Sequence, residues 1–207
     1  MMIDMISADR IDAARLLKEF DEWTALWHFE SSKEQADTGL NATIQALHRS
    51  NFDLWHEEDK ARDRHSEDAA IAAAKRAIDE INQRRNDQME RCDALLLEEL
   101  ALENLPNGSA EPHSETPGMM LDRLSILSLK RYHTIQEIDR PSAPRGHRQR
   151  NRERLSILEM QRNDLAMCLD RLWQAVLRGE RRFQLYRQLK MYNDPDLNPV
   201  LYKGRNF

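Results

Sequence analysis

Several ingredients of the common fold classes are scarce in this chain. Its 207 residues include six Gly, seven Pro and two Cys, and aromatics make up only 6%. So little turn chemistry argues against a protein of many short strands, and no segment alternates convincingly with period two. Cys92 and Cys168 are too few for a disulfide framework. Both fall inside expected helices, where they read as buried reduced thiols, and a cytoplasmic location follows. No apolar run approaches the ~20 residues of a membrane span. The start, Met1 to Asp9, lacks the basic region and apolar block of a signal peptide.

Charge and helical periodicity are abundant. Charged residues make up 32% of the chain, and the net charge is −5. The halves differ: residues 1–103 carry 13 Lys+Arg and 24 Asp+Glu, whereas residues 104–207 carry 18 and 12. Opposite potentials of −11 and +6 suit two halves that dock on each other, or a basic half that meets an anionic partner.

The periodicity predicts an all-α protein: a single domain over 1–207, an antiparallel bundle of five to six helices with an irregular C-terminal tail. Ser7 is expected to cap a first helix carrying Ala13, Leu16, Leu17, Phe20, Trp23 and Trp27 at spacings of three and four. Residues 30–39 read as a loop. A second helix carries Leu40, Ile44, Leu47, Leu54 and Trp55 and ends near His65. Ser66 is expected to cap the third, roughly 67–104, whose apolar column Ile71, Ala74, Ile78, Ile81, Cys92 and Leu96 is interrupted by Arg85. After the break at Pro106–His113, Thr116 serves as N-cap with Pro117 at the first helical position. The fourth helix then runs to about Arg140, and a fifth spans roughly 148–178. A short sixth helix is expected from Gly179 to Met191, and the Pro-containing tail cannot continue it. A faint repeat, Arg85-Asn-Asp87 and Arg162-Asn-Asp164, suggests two helices in related positions.

The richest stretch is Ser114–His133, which opens with helix-start chemistry and stays apolar on most sides. Within it, Asp122 lies amid Met120, Leu121, Leu124, Ile126 and Leu127. A charge there is costly unless paired or bound, so Asp122 is expected to be buried near the third helix against an Arg, Lys or Asn. On the second helix, Trp55, Glu58 and Arg62 share a face with His48 and Asn51. They make one wall of a pocket, or else an inward Trp beside an ordinary i,i+4 pair. On the third, Lys75, Asp79, Asn82, Asn86 and Asp93 form a polar column, either solvated or ligand-facing. On the fourth, Asp122 and His133 share a face, while Arg123 and Lys130, seven apart, are placed to hold a phosphate. If the helices pack by their apolar stripes, these sets converge, with the segment Lys190–Asn198, including Asn193, lying over the opening as a lid.

The sequence implies no metal and no cofactor. Glu-x-x-His, His-Glu-x-x-His, paired cysteines at zinc spacing and a Gly-rich phosphate loop are all missing. The basic run Arg145, His147, Arg148, Arg150, Arg152 and Arg154 has no interleaved aromatics, so nucleic acid is not an expected partner.

Four phrases carry a resemblance: Leu54–Arg62, Lys75–Asp87, Ser114–Gly118 with Asp122–Lys130, and Lys190–Pro195. Together they resemble a bacterial domain-of-unknown-function family, number 4254, over about residues 40–202. The resemblance implies a setting, since members tend to be encoded among glycosyltransferases of lipopolysaccharide and other envelope polysaccharides. It implies no activity. The leading expectation is an accessory protein that binds a sugar-nucleotide-like ligand, a phosphorylated sugar or a glycosyltransferase. The alternatives are a small enzyme acting on such a sugar, with Asp122 and His133 as acid/base groups and Asp79 as orienter, and a purely structural homodimer.

Overall fold

The computed structural model describes residues 11–29, 39–189 and 196–202. Five long helices dominate: α1 (Ala13–Phe29), α2 (Leu40–Ala61), α3 (Asp68–Ala101), α4 (Pro117–Asp139) and α5 (His147–Leu177). Two short strands, β1 (Glu111–Pro112) and β2 (Arg181–Arg182), pair in parallel, and a four-residue helix, α6 (Pro199–Tyr202), lies in the tail. The fold is all-α, and its helices pack as a bundle.

α2 and α3 form one helical hairpin, α4 and α5 another, and α4 also packs against α1, α2 and α3. A helix touching all four others must be apolar nearly all round, and this explains its composition. Met120, Leu121 and Leu124 share the buried interior with Leu16 and Phe20 of α1, Ile44 and Leu47 of α2, Leu96 and Leu100 of α3, and Leu169, Trp173 and Val176 of α5. None of the described helices is long and apolar enough to cross a membrane.

The start of α4 shows how the sequence sets the packing. The Thr116 hydroxyl accepts from Met119 N at 3.2 Å, and Pro117 occupies the first turn, as its sequence context predicts. Asp93 of α3 reaches across, accepting from Gly118 N at 2.7 Å and from the Thr116 hydroxyl at 2.5 Å. A carboxylate on a helix N-terminus meets unsatisfied N–H groups and the positive end of the dipole. Gly118 allows this approach: a Cβ there would overlap the Met89 carbonyl oxygen and lie 2.9 Å from the Asp93 carboxyl carbon.

Three expectations need correction. Ser66 does not cap α3: Glu67 is the N-cap residue without a side-chain bond, and the Ser66 hydroxyl donates to Asp63 within the loop. Cys92 is buried but Cys168 is exposed, so only one thiol belongs to the interior. The sixth helix after Gly179 does not form over 180–189. α5 ends with Gly179 at φ +70°, and Arg181–Arg182 then pair with Glu111–Pro112, which commits the backbone to an extended path. That path is held by His113 N donating to Arg182 O at 2.8 Å and by buried Phe183. In the tail, which continues no longer helix as expected, Pro199 opens the four-residue α6, with Asn198 Oδ1 accepting from Val200 N. The Ser7 cap lies outside the described residues.

Candidate functional site

The molecule's main polar feature is a buried chain that begins on α1 and ends at a cleft between α2, α3 and α4. The Thr24 hydroxyl donates to the Phe20 carbonyl at 2.7 Å, so its oxygen is left to accept from His48 Nε2 at 2.9 Å. His48 Nδ1 then accepts from the Ser125 hydroxyl at 2.7 Å. Ser125 accepts from Asn51 Nδ2 at 3.0 Å, and the same amide donates to Asp122 Oδ1 at 2.9 Å. Every proton in this series has one direction, which assigns His48 as a neutral Nε2–H tautomer. Its complete burial agrees, since desolvation pushes its pKa down to about 3.

Asp122 ends the chain as the sequence predicts: buried, against α3 and paired. Arg85 Nε donates to its Oδ1 at 2.7 Å and Nη2 to its Oδ2 at 2.5 Å, a two-pronged pair across the helix interface. The residue that interrupted the apolar column of α3 is therefore the one the column is arranged around. The hydrogen bonds to Asp122 also push the Arg85 pKa above its ordinary value. Its repeat counterpart behaves similarly: Arg162 of α5 bonds both oxygens of Asp21 on α1, with Nε on the Ser128 hydroxyl at 3.0 Å.

Above Arg85 opens a cleft of about 370 Å³ lined by Asn51, Leu54, Trp55, Glu58, Asp59, Arg62, Arg85, Ile126 and Leu129. One helical face of α2 supplies Trp55, Glu58 and Arg62 together, with Arg62 Nη1 on Glu58 Oε2 at 2.5 Å. Asn82 reaches the rim through Arg85 Nη1 at 3.5 Å. His133 stacks on Trp55, with ring centroids 4.5 Å apart and planes 6° from parallel. A more open cleft of about 410 Å³ lies along another face of α2, lined by Phe52, Asp53, His56, Glu57, Lys60, Ala77, Glu80, Ile81 and Arg84.

The other expected residues lie apart from this cleft. Lys75 and Asp79 pair at 2.5 Å on the exposed part of α3, and half-buried Asn86 lines neither cleft. Arg123 pairs with Glu115, and Lys130 is exposed. These two do not converge into a phosphate grip, because α4 turns that face to solvent. Arg62 and Arg85 are the guanidiniums that do line the cleft. Lys190 and Asn193, with most of the expected lid, lie outside the described residues. Along the basic run, His147 bonds Glu137 at 2.7 Å, Arg148 donates to the Ile138 carbonyl and Arg154 to Asn151, so much of it is engaged locally.

Sequence reasoning missed one group of side chains. His28 of α1, His56 of α2 and His133 of α4 meet beside Trp55, with Tyr132 stacked on His28 at 4.6 Å. Burial, and then the neighbouring imidazole of His28, lowers the His56 pKa. Burial is also the main cause of the lowered His133 pKa. No local motif signals the group, because three separate helices contribute one residue each.

A family model described as "Protein of unknown function (DUF4254)" matches residues 41–185. No curated protein and no solved structure matches the chain.

Proposed function

We propose that this chain, which belongs to the DUF4254 family through a match covering well over half its length, binds a phosphorylated sugar or sugar nucleotide in the α2–α3–α4 cleft. In this reading it serves envelope-polysaccharide synthesis as an accessory protein, handing its ligand to or from a glycosyltransferase. The envelope setting and the bacterial, cytoplasmic context rest on the family resemblance. The ligand class rests on the cleft.

One observation carries the ligand class: Arg85 is held from beneath by Asp122 at the base of a cleft walled by Trp55. A buried carboxylate with both oxygens taken by one guanidinium serves positioning better than acid/base chemistry, which favours binding over the enzyme reading. Because Asp122 takes the Nε proton and one Nη2 proton, and Asn82 Oδ1 accepts one from Nη1, Arg85 keeps one proton on each Nη nitrogen for a ligand oxygen. Trp55 offers a flat apolar face, Leu54, Ile126 and Leu129 an apolar lining, and Glu58, Asp59 and Arg62 partners for hydroxyl or phosphate groups. An apolar cleft of this size with a few convergent polar groups suits a sugar or nucleotide.

The test is thermal and chemical unfolding with UDP-glucose, GDP-mannose and glucose-1-phosphate, each against the Trp55→Ala and Arg62→Ala variants. A ligand at about 100 times its dissociation constant is expected to add about 2.7 kcal/mol of stability. That gain should disappear in Trp55→Ala. Absence of stabilisation by any sugar phosphate or sugar nucleotide, or a gain that survives Trp55→Ala, would overturn the reading.

A further inference from the structure

We infer that His28, His56 and His133 form a three-histidine site for a divalent transition-metal ion, zinc being the best match. This proposal is independent of the sugar-binding reading.

The geometry is that of a facial trio. The three imidazoles are mutually near-perpendicular: His28 meets His56 at 70° and His133 at 68°, and His56 meets His133 at 80°, with centroids 5.2, 5.2 and 5.9 Å apart. One ring nitrogen from each lies within 4.8 Å of the other two. Neighbouring nitrogens around a tetrahedral zinc with bonds of about 2.0–2.1 Å stand about 3.3 Å apart. Closing that gap takes roughly 1.5 Å, which modest side-chain rotations supply.

The hydrogen bonds at Nδ1 leave Nε2 of two of the rings with its lone pair available. His28 Nδ1 lies 2.7 Å from the Thr24 carbonyl oxygen, which can only accept, so the proton is on Nδ1 and the lone pair on Nε2. His28 Nε2 is buried and has no hydrogen-bond partner. The His133 ring repeats the arrangement: Nδ1 faces Gln136 Oε1 at 3.2 Å, and Nε2 is buried without a partner. A buried acceptor left unpaired is destabilising, and two in one small cluster need a common explanation. A cation with empty orbitals answers both. Anchoring the non-ligating nitrogen to a carbonyl is also how metal-bound histidines are usually oriented.

The donor set narrows the metal class. Three neutral imidazoles suit zinc, copper, nickel or cobalt rather than magnesium or calcium, which prefer oxygen. Three protein ligands leave a fourth position for water or substrate, the pattern of an open rather than a structural zinc site. His133 stacks on Trp55, so the ion would sit just behind the wall of the sugar-sized cleft.

The test is titration of the tag-free full chain with Co²⁺ alone, followed by visible absorption, then displacement by Zn²⁺. One Co²⁺ per chain with intense tetrahedral bands is expected. Losing the outer partner of a metal-bound histidine costs about 10–100-fold in affinity, so Gln136→Ala should weaken binding within that range. His28→Gln, His56→Gln and His133→Gln should each weaken it by at least the upper end, about a hundredfold. The exposed His65→Gln control should bind normally. Octahedral pale spectra only, or tight binding that survives His56→Gln and His133→Gln, would refute the site. X-ray absorption of the zinc-loaded natural chain needs no variant: three imidazole ligands support the proposal, and two or fewer overturn it. Trp55→Ala, which tests the sugar cleft, should still take up Co²⁺, so failure of one reading is separable from failure of the other.

Discussion

At the scale of single residues, the buried ionisable groups make opposed demands on pH. His48, held down at about 3 by burial, titrates near 6.5 in the unfolded chain. The unfolded state therefore binds the extra proton between those values, and stability rises with pH across them. Asp93 acts in the other direction. Burial raises it to about 6 from 3.8, so its contribution is present below the lower value and lost as pH rises through the higher one. Between about pH 4 and 6 the two slopes oppose each other. We expect Asp93→Asn to steepen the rise in stability by up to about 1.4 kcal/mol per pH unit, and His48→Gln to flatten or invert it. Urea unfolding at several pH values within that interval checks both, and unchanged slopes in both variants would refute the assignment. The Asp122–Arg85 pair is a separate matter of charge. Asp122→Ala strands a guanidinium that is a quarter exposed, so its expected cost is about 3 kcal/mol, the low end for a broken buried pair. Urea denaturation measures it, and a loss below about 1 kcal/mol would mean that water compensates Arg85.

At the scale of elements, the joint between α3 and α4 offers the sharpest test. Gly118→Ala forces the start of α4 away from the Met89 carbonyl and the Asp93 carboxylate. The expected loss is about 1–3 kcal/mol by overpacking, read from the urea midpoint, and a neutral variant would show that the joint can open freely. The same joint shows what was legible in the sequence. Thr116-Pro117-Gly118 announced a helix start because capping chemistry is local. Asp122 was predictably buried because apolar residues flank it on both sides. The long period of α3 and α5 likewise survives in any reading. By contrast, the residues after Gly179 are reasonable helix formers whose path is decided by pairing with Glu111–Pro112, some seventy positions earlier. Arg85 looked like a flaw in an apolar column because its partner is on another helix. The histidine cluster was invisible for the same reason: His133 stood out only beside Asp122 on its own helix, and packing alone unites it with His28 and His56.

At the scale of the whole molecule, α4 makes the bundle interdependent. Each other long helix rests on it, and Asp21 of α1 is gripped by both Arg131 of α4 and Arg162 of α5. We expect the described helices to unfold in one transition. The tryptophans report from three of them, Trp23 and Trp27 on α1, Trp55 on α2 and Trp173 on α5. Tryptophan fluorescence and far-ultraviolet circular dichroism should therefore give coincident urea curves, whereas separated midpoints would mean that one hairpin melts independently. The line of donors from Thr24 to Asp122 has a mechanical consequence as well. A helix that slides past its neighbour by one turn moves about 5.4 Å, and such a slip of α2 would part His48 and Asn51 from Ser125 and Asp122, their present partners on α4. The line works as a detent: α2 has one seat and no intermediate stops. A cleft whose jaw is indexed in this way cannot widen by degrees to suit a larger guest. It admits what fits the single aperture, or the jaw leaves its notch altogether.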